Sequence, residues 1–506
     1  MFFPVKFFTK TRGVIFVNYD VLIIGSGITG ASIARQLSKY KLRTAVIDKA
    51  SELPAGASRA NSSMIHGGFD DKPGTVKAKF CVPGNKLWHR LKDTLDVHLD
   101  ECGSYVCAFN DDEVRHLEVL LQQGKANGCP GIEIISGDKL REREPNVSPG
   151  IVAALWSPEA GIINNFEAVN AMIESAQING AELHLETVAT GLLLDDKGNV
   201  RGVSTNKGDF LAPIVINAGG VHSGEIASWA GDTSFRIIPT KGEYFLLDRS
   251  TGGTITSFLF SCPSKAGKGV TVLRTAEGNL MAGPTATEQE DPEDRSTTPE
   301  GLAEVLKGAR RLVPNFPVNM NITTFAGVRA NTESGDFEIS ALKTPRGFVN
   351  VAGIKSPGFT SAPAIAEYVA ELLESEFADL VTFAPNEKFI PERRNIPRFL
   401  YMDMAGRKAL AENDPAYAQI VCRCETVTEG QVLEAIRRGA RTVSAVKMMT
   451  RAGTGRCQGG FCCPRVAEIL SRELGIPLDQ ITRHGGDSRL LVGKTKEFLL
   501  KGAVSE

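Results

Sequence analysis

A glycine pattern between a buried strand and a helix constrains the fold of this chain more than any other feature. Residues 19–25 (YDVLIIG) form a nearly continuous apolar run that ends in glycine, as is typical of a buried parallel strand. The pattern GxGxxG continues from there, and apolar residues then recur at helical spacing. Gly25 is predicted to form the tight turn, Gly27 to let the backbone approach a pyrophosphate, and Gly30 to allow close contact between helix and strand.

A second strand is predicted at residues 44–47, and it ends at Asp48, eighteen residues beyond Gly30. A carboxylate at this place can accept a hydrogen bond from a ribose hydroxyl. Strand, glycine pattern, helix, strand and acid together predict a dinucleotide site, although NAD and FAD both remain open at this point.

Two later apolar runs predict further strands of the same sheet. They are residues 214–218 and 348–352, each followed by glycine, and the second precedes a predicted helix at about 362–373. This order predicts an α/β fold with a doubly wound (Rossmann-like) nucleotide-binding domain. Mixed strand and helix patterns between the two runs predict an inserted β-rich substrate domain.

Length and charge exclude several protein classes. The chain has 506 residues, which predicts two or three domains. Its net charge of -2 argues against a nucleic-acid partner. It has no run of eighteen apolar residues, so we expect no transmembrane segment.

The N-terminal segment 1–17 combines phenylalanines with basic residues and allows two interpretations. Either these side chains contact a membrane surface, or translation starts at Val17, just before the first strand. We favour the second. The expected location is the cytoplasm, with peripheral association at the inner face of the membrane as the alternative. Five scattered cysteines fit a reducing compartment as small buried side chains: Cys81, Cys102, Cys107, Cys129 and Cys262.

A second functional unit is predicted beyond a linker at residues 385–419, which is rich in Pro, Arg and Asn. Four cysteines follow as a C-x-C pair and a C-x4-C pair: Cys422, Cys424, Cys457 and Cys462. Four thiolates can hold zinc or an iron–sulfur cluster, but zinc usually takes C-x2-C pairs. The spacing therefore favours a cluster.

This unit is predicted to be small and mostly helical, over residues 420–490, with a tail at 491–506. Thr428 and Gln431 form a capping-box pattern for a helix that runs to about Arg438. Pro464 predicts the start of another helix.

Polar residues downstream of the second strand favour FAD over NAD. Residues 58–68 (SRANSSMIHGG) suit a diphosphate and an isoalloxazine ring, and no second GxGxxG unit exists for another dinucleotide. This segment and residues 353–360 (GIKSPGFT) resemble the flavin-contacting segments of the D-amino-acid oxidase superfamily of FAD enzymes, and the resemblance spans residues 18–375.

The resemblance implies an oxidoreductase domain at residues 18–384. Its FAD-binding parts are about 18–75, 185–235 and 325–384, with the substrate domain between them. Beyond Gly25, Gly27, Gly30 and Asp48, the implied cofactor contacts are Ser58, Ser62, Val188, Gly219, Gly353, Gly358 and Thr360.

The cysteine segments carry a second resemblance. Residues 421–425 (VCRCE) and 450–462 (TRAGTGRCQGGFC) are similar to the bacterioferritin-associated ferredoxin-like domain. That family implies a [2Fe-2S] cluster held by the four cysteines, with Cys463 as a bystander. Four cations would offset the charge of the cluster or form a solvated basic face: Arg423, Lys447, Arg451 and Arg456.

An FAD domain followed by a ferredoxin-like domain resembles the large subunit of anaerobic glycerol-3-phosphate dehydrogenase. Residues 72–82 (KPGTVKAKFCV) are instead similar to L-2-hydroxyglutarate dehydrogenase of the same superfamily. The resemblances imply a dehydrogenase of a small anionic secondary alcohol, most simply sn-glycerol 3-phosphate, with L-2-hydroxyglutarate as the alternative. An amino-acid or amine dehydrogenase, or a redox-sensing regulatory protein, are further alternatives.

Oxidation of such an alcohol needs a base for the hydroxyl proton and cations for the anionic group. His66 is the leading candidate base, or else a histidine that supports the flavin, and His222 is the second candidate. Arg329 matches an arginine that the family uses at the substrate, Lys355 would stabilise the reduced ring, and Lys241 would join the anion pocket. The family implies a second flavoprotein or another electron-acceptor subunit, linked to quinone or NAD, as the partner.

Overall fold

The computed structural model of the protein describes residues 17–262 and 269–493, together with Lys496. Residues 1–16 and nearly all of 494–506 fall beyond these ranges. The two interpretations of the N-terminal segment, and most of the predicted tail, therefore lie outside the described residues.

A six-stranded sheet forms the core of the nucleotide-binding part. Five of its strands run parallel, and the strand at one edge runs antiparallel to its neighbour. In spatial order the strands are Glu182–His184, Thr44–Ile47, Val21–Ile24, Ile214–Asn217, Phe348–Ala352 and Glu338–Ala341. The four strands predicted from apolar runs all belong to this sheet, and the predicted fold class is confirmed.

Alternate side chains of the central strand enter two different cores. Val21 and Ile23 pack into one core, while Leu22 and Ile24 pack into the other. Four helices complete the first core: Ile28–Leu37, Val76–Thr94, Asn165–Ile178 and Gly358–Phe377. The second core is completed by helix Ser223–Trp229 and a four-stranded sheet of Val17–Asn18, Gly208–Leu211, Val200–Thr205 and Ala189–Leu194.

A nine-stranded sheet forms the other half of the oxidoreductase part. In spatial order eight strands are Thr287–Glu288, Ile237–Leu247, Leu280–Gly283, Thr271–Arg274, Phe258–Ser261, Ser104–Ala108, Ala153–Ser157 and Glu133–Ser136, and the ninth, Asn321–Thr332, pairs with Ile237–Leu247. Three helices cover it: Asp111–Ala126, Gly137–Arg143 and Pro299–Leu312. A small sheet of Met64–Ile65, Gly161–Ile163 and Leu99–Asp100 completes this half.

The chain returns along the first half before it reaches the C-terminal unit. The backbone N–H of Asn386 donates to Lys39 O, and the side chain of Arg393 is buried against Glu174, with 2.6 Å between Nε and Oε2. Arg398 then pairs with Glu167 at 2.6 Å. These contacts fix residues 386–398 on the surface of the nucleotide-binding part.

The C-terminal unit has its own small apolar core. A hairpin of Ile420–Cys422 and Val427–Thr428 precedes three helices. Two further helices belong to other parts of the chain: Met404–Asn413 precedes the hairpin, and the short helix Gly56–Arg59 follows the strand Thr44–Ile47. The three helices are Glu429–Arg437, Val443–Thr450 and Cys462–Leu474. The capping box of Thr428 and Gln431 is formed, and the helix expected to begin at Pro464 begins two residues earlier.

One helix differs from its predicted extent for a tertiary reason. The helix expected at about 362–373 spans Gly358–Phe377. Its first turn packs against the helix Val76–Thr94 through Gly84, where a Cβ atom would lie 2.2 Å from Thr360 O. This close packing lets the helix begin at Gly358, a residue type that helix propensity alone disfavours. Within the described residues, no helix has the length and apolar character of a membrane span.

Candidate functional site

The glycine loop leaves no room for side chains at two positions. Gly25 has φ of +103°, and a Cβ atom there would lie 2.3 Å from Ala218 O on the neighbouring strand's end. A Cβ atom at Gly30 would lie 1.9 Å from Gly25 O. The helix therefore starts in direct contact with the loop, as a nucleotide-binding turn requires.

The N-terminus of the first helix faces polar groups that suit a diphosphate. The N–H of Ile28 donates to Ser58 Oγ at 2.9 Å, and a Cβ atom at Gly27 would lie 3.1 Å from the same hydroxyl. Asp48 accepts from the N–H of Ser26 at 2.8 Å, which holds its carboxylate at the end of the strand. Backbone donors and the helix dipole together make this end a ready anion site.

A cavity of about 1700 Å³ extends from this loop across the molecule. Its walls come from the glycine loop, the 55–66 segment, the large sheet, the 354–359 segment and the C-terminal unit. Eleven of the predicted site residues line it: Gly25, Gly27, Asp48, Ser58, Ser62, His66, Val188, Gly219, Arg329, Lys355 and Gly358. The structure thus brings most of the predicted site into one continuous space.

Four predicted site residues lie outside the cavity wall: Gly30, Lys241, Gly353 and Thr360. Thr360 is buried, and its Oγ1 accepts the backbone N–H of His66 at 2.9 Å, so it supports a residue of the wall. Gly353 has φ of +67°, and a Cβ atom there would lie 2.6 Å from the methyl group of Thr332. Both positions shape the site without facing it.

The structure places Lys241 outside the anion pocket in which it was predicted to lie. Side chains of the strand Ile237–Leu247 alternate, and Thr240, Tyr244 and Leu246 face the cavity. Lys241 is on the opposite face, buried, with its Nζ 2.7 Å from Asp294 Oδ2. It is therefore not part of the anion pocket, because the pleat of the strand and an internal ion pair turn it away.

Arg329 is a half-buried cation in the wall of the cavity. It lies opposite Thr240 in the paired strands, and its Nη2 donates to the carbonyl of Thr285 and, at 3.5 Å, to that of Lys241. Its Nε is buried and has no hydrogen-bond partner, and among the described residues no carboxylate lies within ion-pair distance of it. Burial lowers the pKa of Arg329. An incoming anion would supply the missing acceptor.

The two candidate bases have different surroundings. His66 lines the cavity, with its Nε2 3.1 Å from Ser356 Oγ, and Lys355 lines the same wall. His222 also lines the cavity, but its Nε2 lies 2.7 Å from Glu293 Oε1, which in turn pairs with Lys49. The geometry favours His66 as the group that meets a substrate.

Several residues of the cavity wall were not predicted from the sequence. Tyr244 is stacked on Phe325, with 4.7 Å between ring centroids, and Phe260 and Glu277 line the same space. Burial raises the pKa of Tyr244 to about 12, so it stays protonated in ordinary buffers. The alternation of side chains along Ile237–Leu247 could have indicated that Tyr244 faces the cavity. No sequence pattern indicates the position of Glu277.

The four predicted cluster ligands form two pairs in the structure. Cys424 Sγ lies 3.8 Å from Cys457 Sγ, and the neighbouring thiol of Cys462 lowers the pKa of Cys422. A two-iron cluster takes two thiolates at each iron, so pairs suit it. Across the described part of the chain, no three His, Cys, Asp or Glu side chains converge on one metal position.

Backbone donors surround these sulfur atoms. The N–H groups of Phe461 and Gly459 lower the pKa of Cys457. A Cβ atom at Gly455 would lie 2.4 Å from Cys424 Cβ, so the loop approaches the thiols as closely as glycine allows. Such N–H donors favour thiolates, the form that binds iron.

Two of the predicted cations near the cluster are already paired. Arg456 Nε lies 2.9 Å from Asp248 Oδ2, and Arg451 pairs with Glu425 and Glu277. Lys447 is largely buried and lines the cavity, and burial lowers its pKa. The C-terminal unit therefore contacts the oxidoreductase part through charged side chains.

Comparison with known proteins decides the family. Residues 20–372 match the model of the DAO family, FAD dependent oxidoreductase. The chain belongs to this family. Residues 420–472 match the BFD-like [2Fe-2S] binding domain. As a DAO family member with this second domain, the protein has FAD and a [2Fe-2S] cluster as its cofactors, and the residues around both sites fit them.

One relative covers nearly the whole chain, and another covers about two thirds of it. Glycerol 3-phosphate dehydrogenase of Caloramator mitchellensis is 43% identical over 480 residues, which is 94% of this chain and 99% of the relative. L-2-hydroxyglutarate dehydrogenase of Escherichia coli (strain K12) is 30% identical over 402 residues, 71% of this chain and 94% of the relative.

A solved structure is also similar to this chain. The dithionite-reduced L-alpha-glycerophosphate oxidase from Mycoplasma pneumoniae with FAD bound has a TM-score of 0.70 and 30% identity, and the match covers 75% of this chain and 99% of that one. The predicted family, enzyme class and cofactors are thereby confirmed.

Proposed function

We propose that this protein oxidises sn-glycerol 3-phosphate to dihydroxyacetone phosphate and passes the electrons through the [2Fe-2S] cluster to an acceptor partner. The observation that carries the proposal is Arg329. A guanidinium whose buried Nε has no acceptor, which lines a large cavity and lacks an acidic partner among the described residues, calls for an anionic ligand.

The relatives support the choice of anion. The relative that matches over nearly the full length, with 43% identity, is named for glycerol 3-phosphate, and so is the similar FAD-bound structure. Both names concern a small phosphorylated secondary alcohol, and Arg329 is suited to its phosphate.

The residues of the cavity then have distinct roles. Arg329 binds the phosphate and orients the alcohol carbon. His66 accepts the hydroxyl proton at its ring, and Ser356, hydrogen-bonded to Nε2 at 3.1 Å, fixes the orientation of that ring. Tyr244 and Phe260 exclude water from the reacting carbon. Bound FAD supplies the two-electron oxidation of the carbon–hydrogen bond.

The electron acceptor is proposed to be a second flavoprotein or another acceptor subunit, in the cytoplasm or at the inner face of the membrane. The surface around the cluster supports an exit at this end. Cys424 and Cys457 are only partly buried, and Phe461, next to the ligand Cys462, is 84% exposed. An exposed aromatic beside a redox centre suits contact with a partner protein.

L-2-hydroxyglutarate is the second candidate substrate, because several relatives of about 30% identity are named for it. The two substrates differ in charge distribution: one presents a phosphate, the other two carboxylates. Anaerobic mixing of the purified protein with each compound, and with a panel of amino acids, measures the rate of flavin bleaching. Faster reduction by L-2-hydroxyglutarate or by an amino acid would contradict the proposal.

A further inference from the structure

Arg451 of the C-terminal unit connects the cluster loop to the wall of the cavity. Its Nε lies 2.9 Å from Glu425 Oε2, its Nη1 lies 3.3 Å from Glu277 Oε2, and its Nη2 donates to Asn279 Oδ1 at 3.2 Å. Glu425 directly follows the ligand Cys424, whereas Glu277 and Asn279 lie on a turn of the large sheet that lines the cavity. One guanidinium therefore spans both redox parts.

The backbone at Arg451 is unusual for a side chain of this size. Arg451 caps the helix Val443–Thr450 with φ of +70°, a left-handed conformation that glycine usually supplies at helix ends. A non-glycine residue in this region is strained, because its Cβ atom lies close to the following carbonyl oxygen. The side-chain contacts across the two parts are the feature that glycine could not provide.

Burial makes the contact specific. The side chains of Glu425 and Glu277 are 4% and 10% exposed. Three donors in one plane, each with a different acceptor, fix both direction and distance, which the single ammonium group of lysine cannot do. Glu277 is held from its other side by Asn164 Nδ2. The arrangement is a rigid connection rather than a surface ion pair.

This connection acts on the cluster through the backbone. Glu425 directly follows the ligand Cys424, so its backbone N–H belongs to the loop that holds the first pair of thiols. Hydrogen bonds to ligand sulfurs are among the features that set the reduction potential of an iron–sulfur cluster. Because Arg451 fixes the Glu425 side chain, it also fixes the placement of that N–H and of the loop Cys422–Glu425.

We propose that Arg451 is a positioning residue, which fixes the cluster loop against the Glu277–Asn279 turn and thereby sets the potential of the cluster and the rate at which it receives electrons. The inference deepens the proposed function and rests on it. Oxidation of the alcohol to a ketone releases two electrons and two protons, and the electrons leave one at a time through the [2Fe-2S] cluster.

Arg456 provides a matched control. It lies in the same loop, next to the ligand Cys457, and it also pairs with the oxidoreductase part, through Asp248 at 2.9 Å. Its side chain is 68% exposed, and it bonds neither Glu425 nor Glu277. If charge near the cluster were all that mattered, Arg456→Gln would act as strongly as Arg451→Gln.

The experiment compares holoenzymes of the wild type, Arg451→Gln, Arg451→Lys and Arg456→Gln under anaerobic conditions. EPR-monitored redox titration gives the midpoint potential of the cluster, and rapid mixing gives the rate of cluster reduction after the flavin is reduced. We expect Arg451→Gln to shift the potential and to slow cluster reduction by at least about tenfold. Arg451→Lys should not restore either value, and Arg456→Gln should change neither.

Restoration by Arg451→Lys, or an equal effect of Arg456→Gln, would overturn the proposal. If Arg451→Gln loses its cluster, the variant Glu277→Gln tests the proposal instead, because it removes one carboxylate partner of Arg451 from the oxidoreductase part. Slower cluster reduction in Glu277→Gln supports the proposal, and an unchanged rate overturns it. A parallel arm reduces the flavin with light instead of substrate. Failure of glycerol 3-phosphate alone would thus contradict the proposed function without changing the result for Arg451.

Discussion

Replacing Arg329 with methionine tests the anion site in two independent ways. The side chain is half-buried with its Nε fully buried, and we expect its guanidinium to donate about two charge-assisted hydrogen bonds to the phosphate. At about 1.5–3 kcal/mol for each bond, their loss costs about 3–6 kcal/mol. Since about 1.4 kcal/mol corresponds to tenfold, kcat/KM for glycerol 3-phosphate should fall by about 10²- to 10⁴-fold.

The stability of the same variant should respond differently. In the substrate-free protein, Arg329 is a half-buried cation without a carboxylate partner among the described residues, and we expect its replacement by an apolar side chain of similar volume to be neutral or stabilising. The Tm of Arg329→Met should therefore equal or exceed that of the wild type, with bound FAD retained. Thermal unfolding and the flavin spectrum measure both.

Arg236→Met serves as the control, because Arg236 is 73% exposed and pairs with Glu333 at 2.8 Å at the far end of the same pair of strands. It should leave kcat/KM unchanged. An Arg329→Met protein that keeps its kcat/KM, or that loses activity only because it unfolds, would refute the assignment of Arg329 to the anion.

Three further changes test other parts of the account. His66→Gln should slow flavin reduction by about 10²- to 10⁴-fold in stopped-flow experiments while FAD stays bound, and a rate near that of the wild type would remove His66 from proton transfer. Cys422→Ser should lose the EPR signal of the cluster yet keep flavin reduction, whereas Cys463→Ser should keep both; loss of the signal in the second variant would make Cys463 a ligand. Gly30→Ala, whose Cβ would lie 1.9 Å from a backbone oxygen, should lower FAD content and destabilise the fold by about 1–3 kcal/mol, whereas Gly191→Ala, with nothing within 4 Å, should be neutral in both assays.

The sequence predicted the core of the nucleotide-binding part because local pattern and tertiary environment agree there. Strands buried on both faces are apolar at most positions, so the runs at Thr44–Ile47 and Phe348–Ala352 were located to the residue. The capping box at Thr428 is equally local and was also predictable. Such elements need no knowledge of what packs against them.

Other features depend on contacts between distant segments. A motif places Lys241 near the substrate but does not say which face of the strand it occupies, and the ion pair with Asp294 decides that. The contact of Arg451 with Glu277 joins residues that are far apart in the chain, and no periodicity or spacing in the sequence predicts it. Likewise, only the assembled cavity shows that Arg329 has an unused donor.

An anaerobic titration with glycerol 3-phosphate, followed by absorbance and EPR on the same sample, tests the central claim most directly. We expect the substrate to bleach the flavin, and we expect the EPR signal of a reduced [2Fe-2S] cluster then to appear in the same polypeptide. A flavin that stays oxidised with glycerol 3-phosphate but bleaches with L-2-hydroxyglutarate, or a preparation that contains zinc and no iron, would contradict it.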